Sequence, residues 1–155
     1  MAGNKKPRKQ HQKRWNSGGV TLKTELHKVR AVFAPLEAIL DQLEQNGTID
    51  TAGDGMPIFK DRRDGRWYCT VTALNGVIEA YEIHERRHKR FLGLDPLRQL
   101  SNKLRYSMPI FESDTKAARE CLMRMRMETV LMTADYAKQL IKDFQIKEAL
   151  EKLAA

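Results

Sequence analysis

The sequence predicts a mostly α protein: a compact bundle of five to six helices with one small β-hairpin (about 57–71) and a disordered basic N-terminal arm. Three observations carry that reading. Apolar residues recur at three- and four-residue steps through most of the chain, the pattern of amphipathic helices. Only the stretch around Trp67-Tyr68-Cys69-Thr70-Val71 is rich in β formers, and it follows an Asp-Gly pair. Residues 1–19 carry no aliphatic side chain larger than Ala2 after Met1. The division expected is an arm over 1–19 and a single helical domain over 20–153.

The arm holds Lys5, Lys6, Arg8, Lys9, Lys13 and Arg14 and no acid. With so little apolar surface to bury, it cannot offset its ordering entropy and is expected to be disordered alone. Residues 20–46 follow as helix, with Leu22, Leu26, Val29, Phe33, Leu36, Leu40 and Leu43 on one stripe. Pro35 removes a helical hydrogen bond, so a kink or break is expected there. Asn46-Gly47 is the stop signal. A glycine-rich loop over 47–55 leads into two short arms, Pro57–Lys60 and Arg66–Val71, around Arg62-Arg63-Asp64-Gly65.

Residues 72–90 return to helix, capped by Thr72, with Ala73, Val77, Ala80, Tyr81 and His84 on one face. Asp95-Pro96 starts a short helix to about Tyr106, with Leu97, Leu100 and Leu104 as its stripe. Ser113 or Asp114 caps a helix over roughly 114–132, whose face is Ala118, Leu122, Met125, Thr129 and Met132. Thr133 caps a last helix to about Leu153, through Ala137, Leu140, Ile141, Phe144 and Leu150. The last two helices can also merge, since no Gly or Pro separates them. Met-Pro-Ile-Phe occurs at 56–59 and 108–111, and both copies read as extended segments whose Ile and Phe enter the core.

Within 155 residues the net charge is +8; the arm holds +6 of it, leaving 22 cations against 20 acids for the rest, a net of +2. The basic character thus belongs to the arm and not to the body. No apolar run approaches the roughly 18 residues of a membrane span, and the basic N-terminus lacks the apolar stretch of a secretory signal. Two cysteines, Cys69 and Cys121, are too few for a disulfide framework, so a reducing cytoplasm is the expected setting.

A flexible polycation with one aromatic, Trp15, suits a nucleic acid: Lys and Arg neutralise phosphates and release counterions, and tryptophan stacks on a base. The plain alternative is a solubilising tail. Arg86, Arg87, Lys89 and Arg90 form a second basic cluster that would extend such a surface. Neither phosphate-binding glycine loop occurs, and no helix-turn-helix is evident. On the helix over 114–132, Met123 and Met127 lie off the main stripe, which makes them the candidate dimer or partner interface; a wholly core helix is the competing reading.

His84-Glu85-Arg86-Arg87-His88 matches the H-E-x-x-H pattern, in which two histidines one turn apart hold zinc and the glutamate acts as base. Arginine fills both intervening positions, where zincins carry uncharged residues. The other histidines are His11 and His27, both upstream, and no motif surrounds a third ligand at Glu112, Glu120 or Glu128. A charged, solvated helix end is the plainer reading, and no metal or cofactor is expected. Cys69 and Cys121 do not pair with these histidines at finger spacing and read as buried thiols.

A Lys5–Arg14 arm ahead of a compact helical body resembles the small proteins of unknown function encoded by tailed phages and prophages. The resemblance implies a cytoplasmic accessory role, on DNA or against a host protein, and transfers no site residue. The function expected is a non-enzymatic nucleic-acid-associated protein without membrane contact. The alternative is a protein-interaction module, such as an inhibitor or modulator of a host enzyme, using the Met123/Met127 helix or the Trp67-Tyr68 hairpin. A small zinc hydrolase is the third.

Overall fold

A computed structural model describes residues 20–154, and the arm over 1–19 lies outside the described residues. Among the described residues the chain forms five α-helices and one two-stranded antiparallel hairpin. In order they are α1 (Leu26–Asn46), β1 (Ile58–Lys60), β2 (Trp67–Cys69), α2 (Thr70–His88), α3 (Asp95–Arg105), α4 (Glu112–Thr129) and α5 (Ala134–Ala154). α2 packs on α1, α3 and α5, and α4 lies against both α1 and α3. One core joins them, with Phe33, Ile39, Leu97 and Met125 among its fully enclosed side chains. No helix among the described residues is long and apolar enough to cross a membrane.

Helix α1 starts later than its stripe suggests. Leu22–Thr24 is a single 3-10 turn, and Leu26 is exposed. Pro35 does not break the helix. The carbonyl that loses its partner to Pro35 is that of Ala31, four residues earlier. Arg63 in the hairpin turn donates to it from Nη1 at 2.9 Å. Asp61 fixes the arginine, accepting from Arg63 Nη2 at 3.1 Å and from its backbone N–H at 2.9 Å. Gly47 ends α1 as expected, at φ 71° with its N–H on the Leu43 carbonyl.

The hairpin pairs Ile58 with Cys69, Phe59 with Tyr68 and Lys60 with Trp67. It is shorter than predicted, because Thr70 and Val71 belong to α2. Both are buried, and that burial outweighs their β preference. α2 therefore begins two residues before Thr72, which caps nothing; Cys69 holds the cap position. Leu74 and Ile78, absent from the predicted face, are buried because α2 is enclosed by neighbours on several sides.

Asp114 reaches back from the first turn of α4 to the Phe111 N–H at 2.8 Å, and Lys103 donates to the same carboxylate at 2.7 Å. Phe59 enters the core, but Phe111 of the second Met-Pro-Ile-Phe stays 60% exposed, with the Lys103 ammonium over its ring. α4 and α5 do not merge. Thr133 Oγ1 accepts from the Tyr136 N–H at 3.2 Å and starts a new helix. The predicted face of α5 holds at Leu140 and fails at Leu150, which is exposed, since α5 outruns the bundle there.

Candidate functional site

Every arm candidate, from Lys5, Lys6, Arg8, Lys9, Lys13 and Arg14 to Trp15, lies outside the described residues. The root of the arm does not. The Val20 carbonyl accepts from Ala134 N–H at 3.3 Å, and Leu22 N–H donates to the Met132 carbonyl at 2.8 Å. Thr21 bridges Thr133 between them. The root is therefore pinned to the first turn of α5.

The second basic cluster meets the same turn. At the C-terminus of α2, His84 Nδ1 lies 2.6 Å from Tyr136 Oη and His88 Nε2 lies 2.9 Å from the same oxygen. His84 Nε2 lies 2.9 Å from Glu128 Oε1 of α4. Arg90 donates to Glu128 Oε2 at 2.8 Å, and Arg87 pairs with Asp143 of α5. Arg86 and Lys89 are exposed, and among the described residues neither has an ion-pair partner. All four body cations expected to meet phosphate are exposed; two of them are held by carboxylates and two are not.

The roles in this cluster follow from donor and acceptor chemistry. The Glu128 carboxylate only accepts, so His84 Nε2 carries a hydrogen. In the neutral ring Nδ1 is then bare and accepts from the Tyr136 hydroxyl, whose oxygen accepts from His88 Nε2–H. Burial disfavours ionised Glu128, but the hydrogen bonds from His84 and Arg90 outweigh it and hold its pKa below the usual value. Burial, then repulsion from His84 and Arg87, lowers that of His88. Burial raises the Tyr136 hydroxyl, against the pull of Arg87.

This corrects the reading of a solvated helix end: His84 is 1% exposed. Both histidines of the H-E-x-x-H pattern turn to a tyrosine, and Glu85 Oε2 accepts from the Leu92 N–H at 2.8 Å, tying down the next loop. Among the described residues no group of three His, Cys, Asp or Glu side chains is placed to hold a metal. Tyr136 and Asp143, central to the cluster, had no sequence signal. They sit roughly fifty residues from their partners, beyond any periodicity. A Glu128–His84–Tyr136 relay resembles proton-transfer machinery, yet it is closed within the seam of α2, α4 and α5, where its contacts join three helices.

On α4, Met123 and Met127 are 64% and 65% exposed, whereas Leu122 and Met125 are buried. Leu131, one turn on, is exposed as well, as is Phe91 in the loop that Arg124 holds through the Leu92 carbonyl. At the hairpin, Trp67 and Tyr68 face outward beside a cleft of about 570 Å³ lined by Pro35, Phe59, Cys69 and Thr72. Cys69 is half-buried there and not enclosed as expected. Burial raises its thiol pKa, but hydrogen bonds from Thr72 and Val71 at the start of α2 outweigh it, leaving the pKa below its ordinary value. Cys121 is the buried thiol. No protein-family model, curated relative or solved structure matches the chain.

Proposed function

We propose that this protein is a non-enzymatic, nucleic-acid-binding accessory protein of the reducing cytoplasm. Phosphates are gripped by the six cations of residues 1–19 and by Arg86 and Lys89, exposed at the end of the helix whose histidines meet the first turn of α5. The observation that supports the reading most is placement. The arm leaves the body at Ala134, and the basic end of α2 is tied to Tyr136, two residues further on. Segments about seventy residues apart in sequence so converge on one turn of α5. Phosphate contacts of this kind position a protein without reading sequence, so salt-sensitive and sequence-tolerant binding is expected. A gel shift against duplex DNA and single-stranded RNA, with and without residues 1–14, tests it. Binding that is absent at low salt, or indifferent to the deletion, removes the reading.

A second reading rests on Met123 and Met127. Two exposed methionines one turn apart, with Leu131 continuing the row, suit a protein partner or a second copy of the chain. Sedimentation of the purified protein, alone and after copurification, separates this from a solitary nucleic-acid binder.

A further inference from the structure

We propose that the indole of Trp15 seats in the apolar cleft between α1, α2 and α5, so that the segment leading into Val20 is anchored on the bundle. The cleft exists because small residues stand where large ones would meet. Gly76 and Ala80, one turn apart on α2, and Ala137 on α5 leave an opening of about 240 Å³ beside Val77, Leu140 and Phe144. At Gly76 a Cβ would stand in ordinary contact with the Phe144 ring, 3.7 Å away, and none is present. Val32 of α1 and Ile141 of α5 form an exposed apolar rim. The two polar side chains in the lining, Tyr81 and Thr129, bond each other, and Thr129 Oγ1 donates on to the Met125 carbonyl at 2.6 Å. The site therefore suits an apolar group better than water. A cavity of about 150 Å³ lined by Leu, Ile and Phe stays dry and accepts a benzene, and this larger one suits a two-ring aromatic.

The place where the described chain begins points to the occupant. Leu22 and Met132 both line the cleft, and the Leu22 N–H donates to the Met132 carbonyl at 2.8 Å. Thr21 and Thr133 pair antiparallel, and the Val20 carbonyl accepts from the Ala134 N–H. Stepping back in sequence from Leu22 to Val20 thus advances along the other strand from Met132 into α5. The residues before Val20 are directed toward the helix that forms one wall of the cleft. Trp15 precedes Val20 by five residues, a reach of roughly 17 Å when extended. Ile141 lies only about 10 Å along α5 from Ala134, so the reach leaves slack for a fold-back. Asn16, Ser17, Gly18 and Gly19 supply it, since each is a residue type that favours turns.

Within residues 3–19 the indole is the one large apolar side chain, so a single anchor is all this stretch can offer. Tethering favours it over any free apolar molecule. A group on a short linker is present at an effective concentration on the order of millimolar, whatever the concentration of the protein. The indole N–H needs a partner, and at an open rim water supplies it. Seated there, Trp15 ties α5 to the start of the chain and leaves Lys5–Arg14 beyond the anchor, where their charge is unchanged. The contact needs no nucleic acid, so its failure and the failure of the phosphate reading are separate results.

The test uses the full chain carrying Trp67→Phe, which leaves Trp15 as the only indole; Trp67 is 52% exposed, so the fold tolerates the change. Acrylamide should quench Trp15 about threefold less in this protein than in one that also carries Ile141→Glu, because a carboxylate at the rim opposes an apolar occupant. Ile141 is 50% exposed, and circular dichroism confirms that the second protein is folded. Deleting residues 1–14 should leave the shielding in place. Nuclear Overhauser contacts should join the Trp15 ring to the methyls of Val77, Leu140 and Ile141 within one chain. Equal quenching with and without Ile141→Glu, or ring contacts to other side chains, overturns the proposal. Contacts seen only between labelled and unlabelled chains overturn it as well, since a second copy then fills the cleft.

Discussion

Pro35 and Arg63 show how a single residue far along the chain completes a helix. The helical bond Pro35 cannot make leaves the Ala31 carbonyl without an internal donor, and Arg63 supplies one from the hairpin turn. A hydrogen bond of this kind contributes on the order of 1 kcal/mol. Arg63→Ala should therefore cost about that much in urea melts. In a Pro35→Ala background the introduced alanine restores the helical N–H, and the same Arg63 substitution should cost clearly less; equal costs would mean that Arg63 acts through Asp61 alone. Thr133 offers a second test. Its hydroxyl caps α5 by accepting from Tyr136 N–H, and Thr133→Ala should lower stability by about 1 kcal/mol, with faster exchange confined to the start of α5. The cap was legible, because a threonine before a periodic apolar run is a local signal. The Arg63 contact was not: it spans 32 residues, and nothing in a helical pattern announces which distant donor meets an orphaned carbonyl.

At the scale of the element, α4 is where periodicity served best. Ala118, Leu122, Met125 and Thr129 are all buried, as their spacing requires, while Met132 is buried beyond the end of the helix, which stops at Thr129 and not at 132. The spacing reported the core face because α1 and α3 flank the helix. On α5 the same reasoning failed at Ile141 and Leu150, which are exposed. A stripe says which side of a helix is apolar, but not where its neighbour ends. The outer face of α4 carries the sharper prediction. Met123→Glu with Met127→Glu places charge in water and should leave the circular dichroism and melting temperature near wild type. Leu122→Glu buries a carboxylate without a partner and should unfold the domain. If the face is an interface, wild type sediments as the larger species and the double variant as the monomer. A double variant that melts as badly as Leu122→Glu makes the whole helix core, and the interface then shifts to the hairpin around Trp67 and Tyr68.

Over the whole molecule, the body's near-neutrality is built from pairs. Arg119 bonds Asp41 and Glu44, Arg126 bonds Glu37, and Arg98 bonds Glu82 and Asp95. The excess charge was legible in the sequence, since a count needs no geometry. Which cations of Arg86–Arg90 were already committed was not, because Glu128 and Asp143 reach them only through the packing of α4 and α5 around α2. That distinction fixes the expected salt dependence. Each neutralised phosphate contributes about −0.9 to the slope of log K against log salt on duplex DNA. Six arm cations with Arg86 and Lys89 give a slope of about −7 for the full chain. Deleting residues 1–14 should leave about −2, and Arg86→Ser with Lys89→Ser in the full chain about −5. Arg87→Ser and Arg90→Ser should barely move the slope, because those guanidiniums are already paired with Asp143 and Glu128; their loss should appear instead as a lower melting temperature. If the slope responds to Arg87 and Arg90 as strongly as to Arg86 and Lys89, the ion pairs open on binding and all four residues belong to the phosphate surface. A deletion that leaves the slope unchanged takes the arm out of the interface altogether.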